Sequence, residues 1–481
     1  MSRMRARPGT GTTRRAMRAR HRIHFVGIGG IGMSGIAEVL LTLGYSVSGS
    51  DLSRSETTER LLEKGADIAL GHDADRITAD IDAVVISSAV KRSNPEVARA
   101  RDLHIPVIPR AEMLAELMRM KSGIAVAGTH GKTTTTSLLA SVLSEAGLDP
   151  TVVIGGKVHS LDSNARLGQG ETMVAEADES DGTFLLLSPT IAIVTNIDPE
   201  HLDHYGSVEK AAEAFCEFMN RVPFYGLSIL CIDSPRVRAL LPRMRKRFVT
   251  YGLAPDADVT AKDLKVEGFD TTFSAVRSGV ELGEVRIGMP GHHVAQNALA
   301  TIAAAAELDV PFRSTARSLA AFRGIHRRFE VRGQVGEVTV IDDYGHHPEE
   351  IRTTLRAARE GLGRRLVVGF QPHRFSRTRD LHGDFLEAFD DADVLFLTEV
   401  YAAGEEPIDG VSGQGLATAL ARRGHADVSF VGPRENLPEC IAEVARDGDV
   451  VLLLGAGDII KSGDDVLEAL RGRAGRVRLI R

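Results

Sequence analysis

From His24 onward, short apolar runs alternate with longer stretches whose apolar positions recur at helical spacing. A buried strand shows as a brief apolar run between turn residues, while a helix spreads its apolar positions along one face, so the pattern predicts strands and helices in alternation. The first series reads IHFVGI (23–28), SVSGSD (46–51), AVVISS (83–88) and PVIP (106–109), with SGIAEVLLTLG among the stretches between. It ends in AEMLAELMRMKSG, predicted as a helix closed by Gly123. A second series begins at GIAVAG (123–128) and runs through TMVAEA, AIVTNI and LSILCID. Over 248–290 the pattern changes to short alternating segments such as VTAKDLKVEG and EVRIGMPG, which predict an antiparallel or irregular insert. The helix HVAQNALATIAAAAEL follows, and then FRGIHRRFEVRGQVGE, which is basic, Gly-rich and aperiodic. Beyond it the alternation restarts with VTVIDDY, RLVVGFQP, DVLFLTEV, DVSFV and DVVLLLGAGD.

Such alternation is the sequence form of a mostly parallel sheet covered by helices, an α/β fold. At ~100–200 residues per domain, 481 residues divide into about three. The breaks in the pattern set a tail at 1–22 and domains at 23–122, 123–325 and 326–481. The expected architecture is a Rossmann-like N-terminal domain, a central P-loop ATPase-like domain with a mixed sheet, and a Rossmann-like C-terminal domain. Charge separates the tail from the rest. The formal net charge is −7, yet residues 1–22 hold eight Arg and no acid, which leaves −15 on the remaining chain. No whole-chain basic field exists to attract nucleic acid or anionic lipid. The tail lacks the apolar segment of a secretory signal and reads as a disordered extension, with a basic partner-binding arm as the other reading. No segment approaches the ~18 continuous apolar residues of a spanning helix. Cys216, Cys231 and Cys440 are too scattered for a disulfide framework or a metal cluster, which points to a reducing cytoplasm.

Two loops carry the chemistry of phosphate binding. Gly27-Ile28-Gly29-Gly30-Ile31-Gly32 is a G-x-G-x-x-G directly after a strand and before a helix, where backbone N–H groups and the helix N-terminus can approach a diphosphate. Asp51, at the end of the next strand, stands where a carboxylate accepts ribose hydroxyls. Alone, this motif says dinucleotide, or a structural tight turn. Gly128-Thr129-His130-Gly131-Lys132-Thr133 is the second loop, again between strand and helix. It matches a Walker A loop in part, because Val126 occupies the place of the first Gly. Lys132 can reach β and γ phosphates, the amides of 128–134 can wrap them, and the Thr133 hydroxyl can hold Mg²⁺. A capped helix with an exposed Lys is the plain alternative, but four consecutive Thr exceed what capping needs. An NAD dehydrogenase has no use for the second loop, and a simple P-loop ATPase none for the first.

Acids and histidines follow the strands between and beyond these loops. Glu176 ends the strand TMVAEA and is placed to meet a nucleotide-bound Mg²⁺, whereas Asp178, Glu179 and Asp181 read as a solvated acidic loop. His201, after the next strand, suits a metal ligand, an acceptor for the proton of an attacking amine, or an ordinary loop histidine. In the third domain Asp343 and His346 follow one strand, and His373, Arg374 and Arg377 follow the next. If those strand ends are neighbours, the five line one cleft, and the Arg forks suit an anionic substrate; caps and surface ion pairs are the alternative.

Taken together, GTHGKTTTT, EADESD, TNI-x-x-x-H-x-D, GHHVAQNALA, HRRFE, DDYGHHP and QPHRFSR resemble the signatures of the Mur ligases of peptidoglycan synthesis, from about His24 to Asp458. GIGGIGMSG resembles the first loop of the alanine-adding branch; the recycling branch, which attaches a tripeptide to the same sugar, tends to carry a different one. Later Mur ligases carbamylate a Lys as an extra metal ligand, and the stretch Phe215 to Pro223 has none, as in the alanine-adding branch. The resemblance implies ATP-dependent ligation of L-alanine to UDP-N-acetylmuramate through an acyl phosphate, in the cytoplasm, with two Mg²⁺. It implies that the first domain holds the UDP-sugar through Gly29, Gly30, Ile31, Gly32, Met33 and Asp51. It places ATP on Gly128, Thr129, His130, Gly131, Lys132, Thr133, Thr134, His293, Asn297, Arg328, Asp343 and Tyr344. Metal would fall to Thr133, Glu176 and His201, and the acyl and amino-acid groups to His346, His373, Arg374 and Arg377. The catalytic set would be Lys132, His201, His346, Arg374 and Arg377. Two rivals, an NAD-dependent oxidoreductase and a nucleotide-switched module that recruits nucleic acid through the tail, leave the third-domain His and Arg residues unexplained.

Overall fold

In the computed structural model three sheets follow one another along the chain, and residues 21–87, 89–158 and 163–479 are described. Most of the Arg-rich tail lies outside those residues. The first sheet comprises β1 (Arg22–Val26), β2 (Ser46–Asp51), β3 (Asp67–Leu70), β4 (Ala83–Ile86) and β5 (Val107–Pro109), in the order β3-β2-β1-β4-β5 with every pairing parallel. This is a doubly wound arrangement that gathers its loops at the C-terminal strand ends. β3 escaped the apolar pattern because, as an edge strand, it buries only Ala69.

The second sheet contains β6 (Ser122–Ala127), β7 (Thr151–Val158), β8 (Ser163–Arg166), β9 (Thr172–Glu176), β10 (Ile191–Val194), β11 (Leu227–Cys231) and β12 (Phe248–Tyr251). From β12 inward the order is β12-β11-β10-β6-β9-β7-β8, parallel except for β8, which makes the sheet mixed. β13 (Val259–Glu267), β14 (Asp270–Arg277) and β15 (Val280–Ile287) extend the order beyond β12. Two-residue turns join these three, which antiparallel neighbours alone permit, as the change of pattern over 248–290 predicted.

The helix Ile31–Thr42 is buried without interruption from Met33 to Leu40, because it packs against β2 and also against β7 and β8. A helix apolar around its circumference belongs in such a place. Gly123 corrects the expected helix end: the helix spans Arg110–Met118, and Gly123 already lies in β6. A Cβ there would collide with Met118, so the glycine serves the approach of strand to helix.

The third sheet has β16 (Glu330–Val335), β17 (Val338–Asp343), β18 (Leu366–Phe370), β19 (Val394–Thr398), β20 (Val428–Gly432) and β21 (Val450–Leu454), ordered β16-β17-β21-β18-β19-β20. β16 is antiparallel to β17 and the other pairings are parallel. β16 falls in the stretch expected to be aperiodic; it is a half-exposed edge strand with a register shift between Val331 and Gly333, so it shows no alternation. By their contacts the residues form two units. One holds the chain up to Thr260 with Arg277–Val280 and Asn297–Ser318, the other Ala261–Val276, Glu281–Gln296 and Leu319 onward. Among the described residues no helix is long and apolar enough to cross a membrane.

Candidate active site

In the first unit, Gly27 (φ 78°) turns the chain out of β1, and the N–H groups of Gly27 and Ile28 both donate to the Ser50 carbonyl, at 2.8 and 3.0 Å. Gly30 caps the helix Ile31–Thr42 with no side-chain cap hydrogen bond. Asp51 Oδ2 accepts the Gly29 N–H at 2.8 Å, so Asp51 braces the loop at the place expected for ribose. Met33 is expected at the UDP-sugar. Its side chain is in the core and its N–H donates to Gly30 O at 3.0 Å, because it lies on the inward face of the helix. The side chain of Ile31 lies outside the described residues. Arg110 was not foreseen: a Cβ on Gly32 would sit 2.6 Å from its Nη1, and its Nη2 bonds Asp178 Oδ2 at 3.0 Å. Glycine at 32 is what lets that guanidinium cover the loop.

The second loop is propped from the end of β10. The Thr129 N–H donates to Asn196 O at 3.2 Å, the His130 N–H to Asn196 Oδ1 at 2.8 Å, and the Thr195 hydroxyl to His130 O at 2.5 Å. Gly128 (φ 136°) leaves the room that Thr195 fills, and a Cβ on Gly131 (φ 81°) would lie 2.8 Å from Asn297 Oδ1. Asn297, on the helix His292–Glu307, accepts the Thr135 hydroxyl at 3.1 Å and so holds this loop's turn. Of the four threonines, Thr134, Thr135 and Thr136 are buried, and Thr133 reaches out to both Glu176 oxygens at 3.0 and 3.2 Å. The run of Thr is therefore mostly helix interior, and one hydroxyl supplies the metal-type pair.

Lys132 Nζ donates to Gly128 O (2.5 Å), Thr129 O (3.1 Å) and Glu179 Oε1 (2.8 Å). Burial works against its charge, and Glu179 and Glu176 outweigh burial to hold its pKa above the ordinary lysine value. Glu179 was expected in solvent and is only 3% exposed. Burial, opposed by Lys132, pushes its pKa up to about 7. His201, at φ 55°, brings Nε2 to 3.8 Å from Glu179 and 3.7 Å from Glu200, and these three offer donor atoms within 4.8 Å of one another. Carboxylates and an imidazole held in a strained backbone suit a cation.

In the second unit β17 and β18 are not neighbours, since β21 runs between them. Their loops still meet: the His346 and His373 ring centres are 5.5 Å apart. Gly455 and Gly457, just after β21, make this possible, because a Cβ at either would press on Gln371. Asp343, expected to contact ATP, organises the loop. Its Oδ1 accepts the Gly345 N–H at 2.7 Å and its Oδ2 the Phe329 N–H at 2.8 Å. Arg327 and Arg328 stand 4.9 and 5.4 Å from the Tyr344 ring centre. His373 stacks on Tyr401 at 5.6 Å, and Arg377 Nη1 donates to its Nδ1 at 3.4 Å. Arg374 (φ 72°) is tied to Glu405 at 2.7 Å, and Ser376 bonds the same carboxylate. His293 is held neutral, its pKa lowered to about 4 by burial and then by Arg328 and His292. A cleft of about 920 Å³ opens beside it, lined also by His292, Gln296, Arg352, Arg356 and Glu360, and the His346–His373 cluster does not line that cleft.

Fold and site together have the form of a nucleotide-using α/β enzyme built on three sheets, with a Gly-rich loop on the first, a P-loop with a facing carboxylate on the second, and a His/Arg cluster on the third. Three family models match in succession: "Mur ligase family, catalytic domain" over 22–122, "Mur ligase middle domain" over 126–305 and "Mur ligase, glutamate ligase domain" over 327–457. The chain belongs to the Mur ligase family. It is 60% identical over 449 residues to the UDP-N-acetylmuramate–L-alanine ligase of Myxococcus xanthus, covering 93% of this chain and 95% of that one. The enzyme of the same name from Geobacter sulfurreducens is 58% identical over 451 residues, 93% of this chain and 97% of its own. Among solved structures, the UDP-N-acetylmuramate–alanine ligase of Thermotoga maritima superimposes with a TM-score of 0.79 at 33% identity, over 94% of this chain and 99% of that one. A murein peptide ligase from Psychrobacter arcticus gives 0.68 at 25% identity, over 94% and 98%.

Proposed function

We propose that this chain joins the amine of L-alanine to the lactyl carboxylate of UDP-N-acetylmuramate, with ATP converted to ADP and phosphate, in cytoplasmic peptidoglycan precursor synthesis. The observation that carries the choice of substrates is the near full-length identity, 60% and 58%, to two ligases named for them. The P-loop geometry supports the chemistry. A carboxylate is a poor electrophile, so it is first phosphorylated by the γ-phosphate, and the amine then displaces phosphate from the acyl phosphate.

Lys132, held ready by Glu179, would exchange that carboxylate for phosphate oxygens as the nucleotide enters. The Thr133 hydroxyl beside Glu176 is a hard oxygen pair of the kind Mg²⁺ takes, and His201 with Glu179 and Glu200 is a second donor set. Bound Mg²⁺ supplies charge neutralisation and polarises the phosphoryl group. In the third domain Arg374 is committed to Glu405, so Arg377, whose partner His373 is neutral, is the guanidinium for the amino-acid carboxylate. His346 Nδ1 faces the Tyr344 carbonyl at 3.0 Å, which can only accept; Nε2 is then the nitrogen that takes the proton of the amine.

Phosphate release measured with ATP, Mg²⁺, UDP-N-acetylmuramate and L-alanine tests the reading. Release should require all of them, and Lys132→Ala should lower it by at least about 10²-fold, as expected for loss of a transition-state charge contact. Release that ignores omission of the sugar nucleotide or of the amino acid would sink the proposal.

A further inference from the structure

Beneath the Gly-rich loop lies a buried polar network that the steps above do not use. Ser50 and Glu96 are fully buried, and Ser50 Oγ sits 2.5 Å from Glu96 Oε2 and 2.8 Å from His72 Nδ1. Glu96 also accepts the Asp73 N–H at 3.3 Å and faces His24 Nε2 at 3.6 Å. Burial opposes its ionisation, but His24, Ser50 and the Asp73 N–H outweigh burial and hold it below the ordinary carboxylate pKa. An ionised carboxylate only accepts, so the single Ser50 hydroxyl proton goes to Glu96. Ser50 Oγ must then receive a hydrogen bond from His72, which fixes hydrogen on Nδ1 and makes Nε2 the one ring nitrogen that can accept.

The place of that acceptor follows from topology. The Gly71 N–H donates to Asp51 O at 2.8 Å, so His72 stands beside Asp51, just past the end of β3. With the order β3-β2-β1, the Gly-rich loop, Asp51 and His72 occupy three successive strand ends. A nucleoside diphosphate laid across them runs diphosphate, ribose, base. The His72 side chain is 19% exposed while Glu96 is sealed, so the network opens at that end.

We propose that His72 reads the base of the bound nucleotide: its Nε2 accepts the imide N3–H of uracil, and Ser50 and Glu96 are positioning residues that fix its tautomer. The inference rests on the reading that the first domain holds a UDP-sugar. Cytosine presents a lone pair at N3, and the same nitrogen would reject it.

Calorimetric titration of the full chain with UDP, CDP, 3-methyl-UDP and 2′-deoxy-UDP tests this. The wild type should prefer UDP to CDP and to 3-methyl-UDP. His72→Leu should weaken UDP about tenfold or more, the usual scale of a lost buried hydrogen bond, and bring the UDP/CDP ratio close to one. Ser50→Ala, which keeps His72 and releases its tautomer, should give an intermediate ratio. The ratio is informative even where a variant is less stable, because partial unfolding weakens both ligands alike. An unchanged UDP/CDP ratio in His72→Leu overturns the inference. So does a loss that vanishes with 2′-deoxy-UDP, which would put His72 on the ribose. If the wild type binds no UDP, the ligase reading itself fails; if it binds UDP and the ratio ignores His72, only the inference does.

Discussion

His373 stands among Tyr401, His346, Arg374 and Arg377, with Glu405 the nearby acid, and these neighbours decide its charge. Burial first, then His346, Arg377 and Arg374, lower its pKa to about 4, with Glu405 opposing. The unfolded chain, with a histidine pKa near ~6.5, takes up a proton sooner on acidification, so the stability tied to neutral His373 is present above that pH and is lost as pH falls toward 4. His373→Gln, which cannot protonate, should therefore lose less melting temperature between pH 7 and pH 5 than the wild type; an equal loss would remove His373 from the account. Arg377 can only donate, so Nδ1 of His373 is the acceptor and the hydrogen of the neutral ring sits on Nε2. Glu176 makes a separate prediction. In Glu176→Gln the Thr133 hydroxyl keeps an oxygen to bond while the charge for Mg²⁺ is gone. Its phosphate release should demand about tenfold more Mg²⁺ and saturate lower, on the scale of one lost charged ligand, with little change in melting temperature.

At the scale of elements, Gly123 shows how one position can be misjudged from local pattern and still be testable. Glycine after a helical run suggested a cap, but its role comes from Met118, which a Cβ would strike. Gly123→Ala should cost about 1–3 kcal/mol by overpacking. In a Met118→Ala background the same change should cost far less, and a double-mutant cycle on urea melts reads the coupling. The same contrast separates what was legible from what was not. β10, β18, β19 and β21 are buried along their whole length, and β6 from Gly123 onward, so each appears as a compact, mostly apolar run. β3 and β16 bury little and left no such trace. The P-loop could be read because its functional atoms lie within a few consecutive residues. Glu179, Arg110, Tyr401 and Glu405 could not, since each acquires its role from a partner far away in sequence, as Glu179 does from Lys132. The glycines of GAGD were open to sequence reasoning: Gly-x-Gly directly after a buried strand signals close backbone approach, here to Gln371.

For the whole molecule the question is how a chain carrying −15 outside its first 22 residues would bind the two anionic nucleotides of the proposed reaction. Two mechanisms are available, a long-range field or short-range donors, and they respond differently to salt. Fields across the surface are screened over a Debye length, about 10 Å at 0.1 M ionic strength, whereas backbone amides, Lys132 and a cation held by Glu176 would act within hydrogen-bond distance. If repulsion by the acidic body limited binding, added salt would relieve it and KM for both nucleotides would fall steeply. Local donors predict a change smaller than about threefold in either KM between 50 and 250 mM KCl at constant free Mg²⁺. The tail supplies a second arm of the same test. The family models begin at residue 22, so the arginines before it stand outside the matched domains. If they served as an electrostatic lure, deleting residues 1–20 would raise KM at low salt and the deficit would disappear at high salt. The expected result is that deletion leaves both KM values and their salt dependence unchanged, because the charges that meet the phosphates are those the loops hold in place.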